Sequence, residues 1–180
     1  MKFKFKIQQY QTDAVESTVG VFAGQPCYDN TRYRRDLGER KGQVNAFDDD
    51  EAGFRNHEIE LTDEELLKNI HRSQDNGNIK RSESVVKQGS EACRLDIEME
   101  TGTGKTYVYI KTMFELNKRY GWSKFVVIVP SKAIREGVNK SFQTLEDHFM
   151  EYYGKKARFF IYDSDRLQQI DLYEPVKFFL

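Results

Sequence analysis

A chain of 180 residues is about one typical domain long, and its hydrophobic fraction of 38% sits below the globular average of roughly 45–50%, so one compact body with some irregular sequence is expected. With 28 Lys+Arg against 29 Asp+Glu the net charge is -1, which excludes a polybasic protein that holds nucleic acid by bulk charge. Cys27 and Cys93 are too few and too scattered for a disulfide scaffold or a four-ligand zinc site, and no signal-peptide pattern is seen, so a reducing, cytoplasmic setting is expected.

KFKFKI at residues 2–7 alternates with the period of a half-exposed edge strand. From Tyr10 the spacing becomes helical, with Tyr10, Ala14, Val15, Val19 and Phe22 on one face and Gly24 and Pro26 as the stop. Residues 25–90 are polar and densely charged, including the acidic run Asp48, Asp49, Asp50, Glu51, and predict a solvated insertion rather than a second core. Within that insertion Thr62 to Glu65 has capping-box spacing, and Leu66, Leu67 and Ile70 follow at helical intervals, predicting a helix over 63–74.

From Cys93 the pattern tightens. Cys93, Leu95, Ile97 and Met99 alternate with charged residues as a strand does, and the turn ETGTGKT follows directly. Residues 106–119 read as a helix stopped by Gly121, with Val108, Ile110, Met113, Phe114 and Leu116 on its apolar face. Phe125 to Val129 (FVVIV) has the composition of a strand buried on both faces. A second amphipathic helix runs through Ile134, Val138, Phe142, Leu145 and Phe149, and ARFFIY at 157–162 is a third strand. Strand, helix, strand, helix, strand in that order predicts an α/β fold with a parallel sheet and right-handed crossovers. The chain divides into 1–24, an N-terminal strand and helix; 25–90, the charged insertion; and 91–180, the core around the turn. No stretch approaches the ~18 apolar residues of a bilayer span, and mean hydropathy is -0.74, so no membrane association is expected.

Glu100-Thr101-Gly102-Thr103-Gly104-Lys105-Thr106 stands where a strand should end and a helix begin, the context of a phosphate-binding loop. Glycines let successive N–H groups turn inward on phosphate, and the helix adds the positive end of its dipole. Lys105 then reaches the β and γ phosphates of a nucleotide, and the Thr106 hydroxyl is a Mg2+ ligand. GxxxxGK[ST] asks for glycine where Met99 stands, a departure that fits a loop of the form TGxGKT. Metabolic kinases and small GTPases share the loop geometry, but neither usually places threonine directly before the first glycine of GxGKT. Another alternative is a non-catalytic module binding nucleic acid or a partner through residues 118–140.

The form Thr-Gly-x-Gly-Lys-Thr resembles motif I of the superfamily 2 helicases and translocases. On that resemblance Gln11, in QQYQTDAV, corresponds to the upstream glutamine that reads the adenine edge and favours ATP over GTP. Likewise FVVIVPSKAIREGV is similar to the motif Ia region, which implies that Ser131 and a basic side chain such as Lys132 or Arg135 hold a DNA phosphate; a capped helix with solvated basic residues is the plainer alternative. The longer string LDIEMETGTGKTYVYIKTMFELNKRYGWSKFVVIVPSKAIREGV resembles the N-terminal helicase region of the restriction (Res) subunit of type III restriction-modification systems. It implies a RecA-like lobe, ATP and Mg2+ as cofactors, DNA as a partner, a methyltransferase (Mod) subunit beside it, and a nuclease domain farther along a large bacterial subunit.

Such a motor also needs a strand-end Asp-Glu pair to hold the Mg2+ shell and position water. After Lys105 the candidates are Asp147, Asp163, Asp165, Asp171 and Glu174, and none has its partner acid. The expectation is therefore an incomplete lobe, ending before the carboxylate box, that binds nucleotide without DNA-stimulated hydrolysis. His57, His71 and His148 are too scattered to suggest a metal site.

Overall fold

The computed structural model describes residues 5–28, 56–87, 93–161 and 177–179. Four helices dominate: α1 (Gln9–Val19, continued by a 3-10 turn, Gly20–Phe22), α2 (Asp63–Asn76), α3 (Lys105–Tyr120) and α4 (Lys132–Tyr153). Three three-residue strands accompany them: β1 (Lys124–Val126), β2 (Arg158–Phe160) and β3 (Lys177–Phe179).

Helix ends follow local chemistry. Thr62 caps α2 by accepting from the Glu65 N–H while the Glu65 carboxylate accepts from the Thr62 N–H, so two otherwise unpaired donors are satisfied reciprocally. Helix α3 stops at Gly121, which sits at φ 77° and donates its N–H to the Asn117 carbonyl.

α3 is shared by two apolar cores. On one side Val108, Tyr120 and Trp122 pack with Val15, Val19, Val21 and Phe22 from the N-terminal helix and with Leu66 and Ile70 from α2. On the other, Ile110, Met113 and Phe114 pack with Val138, Phe142, Leu145 and Phe149 of α4. The middle segment is thus not all solvated. Its helix is buried along the Leu66–Ile70 edge, and Asn69 donates to the carbonyls of Val21 (3.0 Å) and Ala23 (2.9 Å). Apolar spacing at i and i+4 gave α2 a sticky edge, and the flanking charge did not prevent it from finding α1.

The strands differ most from expectation. β1 and β2 each pair in parallel with β3, in the order β1-β3-β2, over three residues. Of Phe125–Val129 only the first two residues lie in β1, and the segment is buried on one face only. Phe125, Val127 and Val129 pack on the α3/α4 core, whereas Val126 is 69% and Ile128 90% exposed. Helices cover a single face, so the second apolar row has nothing described to pack on. Segment Cys93–Met99 is extended but is no ladder strand. Its ties are an isolated bridge from Cys93 to Lys87 and the Arg94 N–H donating to Val86 O at 2.8 Å. Cys93, Leu95 and Met99 still pack on the first core, but Ile97 is 55% exposed, so the alternation survives as burial only in part and without sheet pairing. ARFFIY contributes Arg158–Phe160, and Tyr162 lies outside the described residues, as do residues 2–4 of the N-terminal alternation and the acidic run at 48–51. Phe5–Ile7 have no regular structure and no strand pairing. Among the described residues no helix is long and apolar enough to cross a membrane.

Candidate nucleotide site

Between the extended segment and α3 the chain makes a tight turn. Thr103 closes it, its hydroxyl donating to the Glu100 carbonyl at 2.7 Å and its N–H to the same oxygen at 3.4 Å. Gly102 (φ 81°) and Gly104 (φ 85°) occupy the left-handed region that side chains avoid. α3 then starts at Lys105, and its N-cap position, Gly104, provides no side-chain cap. The opening N–H groups of a helix have no partner within it. Here, as at the start of α1, no side chain covers them, whereas Thr62 and Ser131 cap α2 and α4; an anion at the α3 start would have these donors and the helix dipole to meet. Lys105 is exposed at this mouth, and Thr106 is half-buried beside it. Residues and backbone therefore suit a nucleotide phosphate.

Gln11 reaches the same turn from α1. Its amide nitrogen donates to the Thr103 carbonyl at 2.9 Å, and the Tyr10 hydroxyl donates to that oxygen at 3.3 Å. Gly104 has a second reason to be glycine: a Cβ there would lie 2.5 Å from the Gln11 amide nitrogen. One N–H of the Gln11 amide is used on the loop. Its second N–H and its oxygen remain as an adjacent donor and acceptor, the pair that an adenine edge requires. Tyr10, expected on the apolar face of α1, is instead 49% exposed, because it turns to the loop.

An open cleft of about 590 Å³ adjoins the turn. One wall comes from Phe5, Lys6, Gln8, Tyr10 and Gln11, the base from Thr106 and Tyr107, and the far wall from Gly137, Lys140, Ser141, Thr144 and Leu145 of α4. That volume is within the roughly 300–1,000 Å³ of small-molecule sites. His148 braces the end of the cleft: its Nε2 lies 3.2 Å from the Tyr107 hydroxyl, and its ring lies 5.2 Å from that of Phe5. Burial pushes the His148 imidazole below its usual value; Glu151 opposes that shift and Lys111 reinforces it. Burial also pushes the Tyr107 phenol up. The α4 wall was not foreseen from sequence. Its signal, Gly137, Ser141 and Thr144 at helical spacing beside the apolar face, is visible only once that face is assigned to the core.

Ser131, Lys132 and Arg135 open α4. The Ser131 hydroxyl oxygen accepts from the Ile134 N–H at 3.3 Å, so it acts as a helix cap. Lys132 is exposed, and Arg135 is half-buried and paired with Glu136 at 3.2 Å. Among the described residues no hydrogen bond joins these three to the loop. Thus Gln11, Thr103 and Gly104 are in contact, Thr101, Gly102, Lys105 and Thr106 are contiguous with them, and the α4 start stands apart. Asp147 lies exposed on α4; Asp163, Asp165, Asp171 and Glu174 lie outside the described residues.

Residues 4–169 match the family described as "Type III restriction enzyme, res subunit". Among curated proteins the chain is 35% identical over 113 residues to the EcoPI Res subunit of Escherichia phage P1, covering 62% of this chain and 11% of that protein. The same identity and coverage hold for the EcoP15I Res subunit of Escherichia coli. The StyLTI Res subunit of Salmonella typhimurium is 43% identical over 72 residues, 38% of this chain and 7% of that protein. The chain spans about 11% of the length of the first two of these relatives.

Proposed function

Because the chain belongs to the family of type III restriction enzyme Res subunits, we propose that it carries the nucleotide-binding front of an ATP-dependent DNA translocase of superfamily 2, on a RecA-like lobe. The carrying observation is that Gln11 is bonded to the Thr103 carbonyl beside a glycine-entered, side-chain-uncapped helix. On this reading residues 1–24 bring the adenine contact, 25–90 are an insertion whose α2 is packed against α1, and 91–180 are the phosphate-loop lobe.

Gln11 pairs with the adenine edge through its remaining N–H and its oxygen. Thr101, Gly102, Thr103 and Gly104 shape the turn so that backbone N–H groups face the phosphates. Lys105 places a positive charge on the β and γ phosphates, and the Thr106 hydroxyl holds Mg2+. When bound, that ion neutralises charge on the phosphates. Ser131, Lys132 and Arg135 form the first DNA-phosphate contact, with the Ser131 hydroxyl hydrogen as donor while its oxygen caps α4. DNA and a methyltransferase (Mod) subunit are the partners this reading assigns.

Equilibrium binding with Mg2+ present tests it. ATP is expected to bind more tightly than GTP, Gln11→Ala to erase that preference, and Lys105→Ala to weaken ATP about ten- to a hundredfold, the equivalent of one charge-assisted hydrogen bond. Equal affinity for GTP, or binding indifferent to Lys105, refutes the assignment.

A further inference from the structure

The two walls of the cleft have different chemistry. Gln11 stands on one. On the other, Gly137, Lys140, Ser141 and Thr144 fall at i, i+3, i+4 and i+7 of α4 and share a face, while Val138, Phe142, Leu145 and Phe149 turn to the core. The Ser141 hydroxyl donates to the Gly137 carbonyl at 2.9 Å, and the Thr144 hydroxyl donates to the Lys140 carbonyl at 2.8 Å. A hydroxyl has one hydrogen and two lone pairs. While these two bonds hold, the hydroxyls present their oxygen lone pairs to the cleft.

A ligand that meets them without breaking either bond is one that donates. On ATP at neutral pH the hydrogen-bond donors are the adenine amino group and the 2′ and 3′ hydroxyls of the ribose. In the function proposed above, on which this inference rests, the amino group goes to the Gln11 oxygen. The ribose hydroxyls remain. The sugar connects base to phosphates, so it has to pass between Gln11 and Thr106, and both line this cleft. A Cβ on Gly137 would meet nothing within 4 Å, so glycine there is not demanded by packing and leaves the wall low.

We propose that Ser141 and Thr144 are specificity-determining residues that accept hydrogen bonds from the ribose hydroxyls, so that the cleft selects ribonucleotides over deoxyribonucleotides. Calorimetric titration of the full chain with ATP, 2′-deoxyATP, 3′-deoxyATP and GTP, all with Mg2+, tests this. In the wild type at least one missing hydroxyl is expected to weaken binding about five- to tenfold, the equivalent of one neutral hydrogen bond. Ser141→Ala combined with Thr144→Val keeps the shape of the wall and removes both acceptors. That variant should bind ATP and the deoxy forms alike while still preferring ATP to GTP, and Gln11→Ala should show the reverse pattern. Lys105-dependent ATP binding with no wild-type penalty for either deoxy form would overturn the ribose assignment and leave the ATP assignment standing. A deoxy penalty that persists in the double variant would overturn it equally. Absence of Lys105-dependent ATP binding would remove both assignments. The wild-type comparison needs no variant, so a missing deoxy penalty refutes the ribose assignment however the substituted chains fold.

Discussion

Gly104→Ala probes the contact between α1 and the loop. Gly104 is held at φ 85°, and a left-handed backbone costs a residue with a Cβ roughly 1–2 kcal/mol. The new methyl group would also lie 2.5 Å from the Gln11 amide nitrogen, at the end of a flexible side chain that can swing away. Swinging it away gives up the 2.9 Å bond to the Thr103 carbonyl, worth about 0.5–1.5 kcal/mol. The total is about 1.5–3.5 kcal/mol in the wild-type background. With Gln11→Ala already present only the backbone cost of about 1–2 kcal/mol remains. Urea unfolding of the four proteins of this double-mutant cycle should return a coupling of about 0.5–1.5 kcal/mol between positions separated by more than ninety residues of chain. Strictly additive losses would show that Gln11 is not seated on the loop, and an unchanged Gly104→Ala would show that the left-handed turn is not formed.

Thr62→Ala removes the capping box of α2 and should cost about 1 kcal/mol in urea unfolding, because α2 is packed into a core rather than free in solvent. The depressed imidazole of His148 means that the unfolded chain binds a proton more readily than the folded one. Its contribution to stability is complete above the ordinary histidine range near 6.5 and is lost as pH falls from there through the lower folded value. His148→Gln should flatten that part of the stability-against-pH curve measured by thermal melts. Ile128→Lys on the uncovered face beyond β1 should change folding stability by no more than about 0.5 kcal/mol, and it should reduce concentration-dependent association in sedimentation velocity.

Features governed by a few neighbouring residues were legible in the sequence. The capping box at Thr62, the apolar face of α3 and its stop at Gly121, and the glycine turn ahead of Lys105 all depend on contacts within a turn or two. Features that depend on distant partners were not. Cys93 to Met99 has the alternation of a strand, but a ladder needs a neighbour at the right distance and register, and the described residues provide only the bridge to Lys87. FVVIV looks buried on both faces because composition records apolarity, not whether a second layer covers it. Leu66 and Ile70 announce an apolar edge without naming α1 as what it meets. At the site, Gln11 could be singled out beside the loop by resemblance, but its bond to the Thr103 carbonyl is a tertiary fact, and so is the α4 wall of the cleft.

α1 lies along α3 through contacts spaced over its whole length: Gln11 to Thr103, Thr12 to Lys111, Glu16 to Arg119, and Val19 to the Tyr120 hydroxyl. Each closes a loop of roughly the same large size, and the entropy of closing such a loop grows only with the logarithm of its length, about 0.6 kcal/mol per doubling. Once that docking is in place, adding or removing residues between the α1 core and α3 is thermodynamically cheap, provided α2 keeps its seat. The cleft beside the glycine turn and the charged middle segment are thereby decoupled, and sequence length can vary in the second without disturbing the geometry of the first.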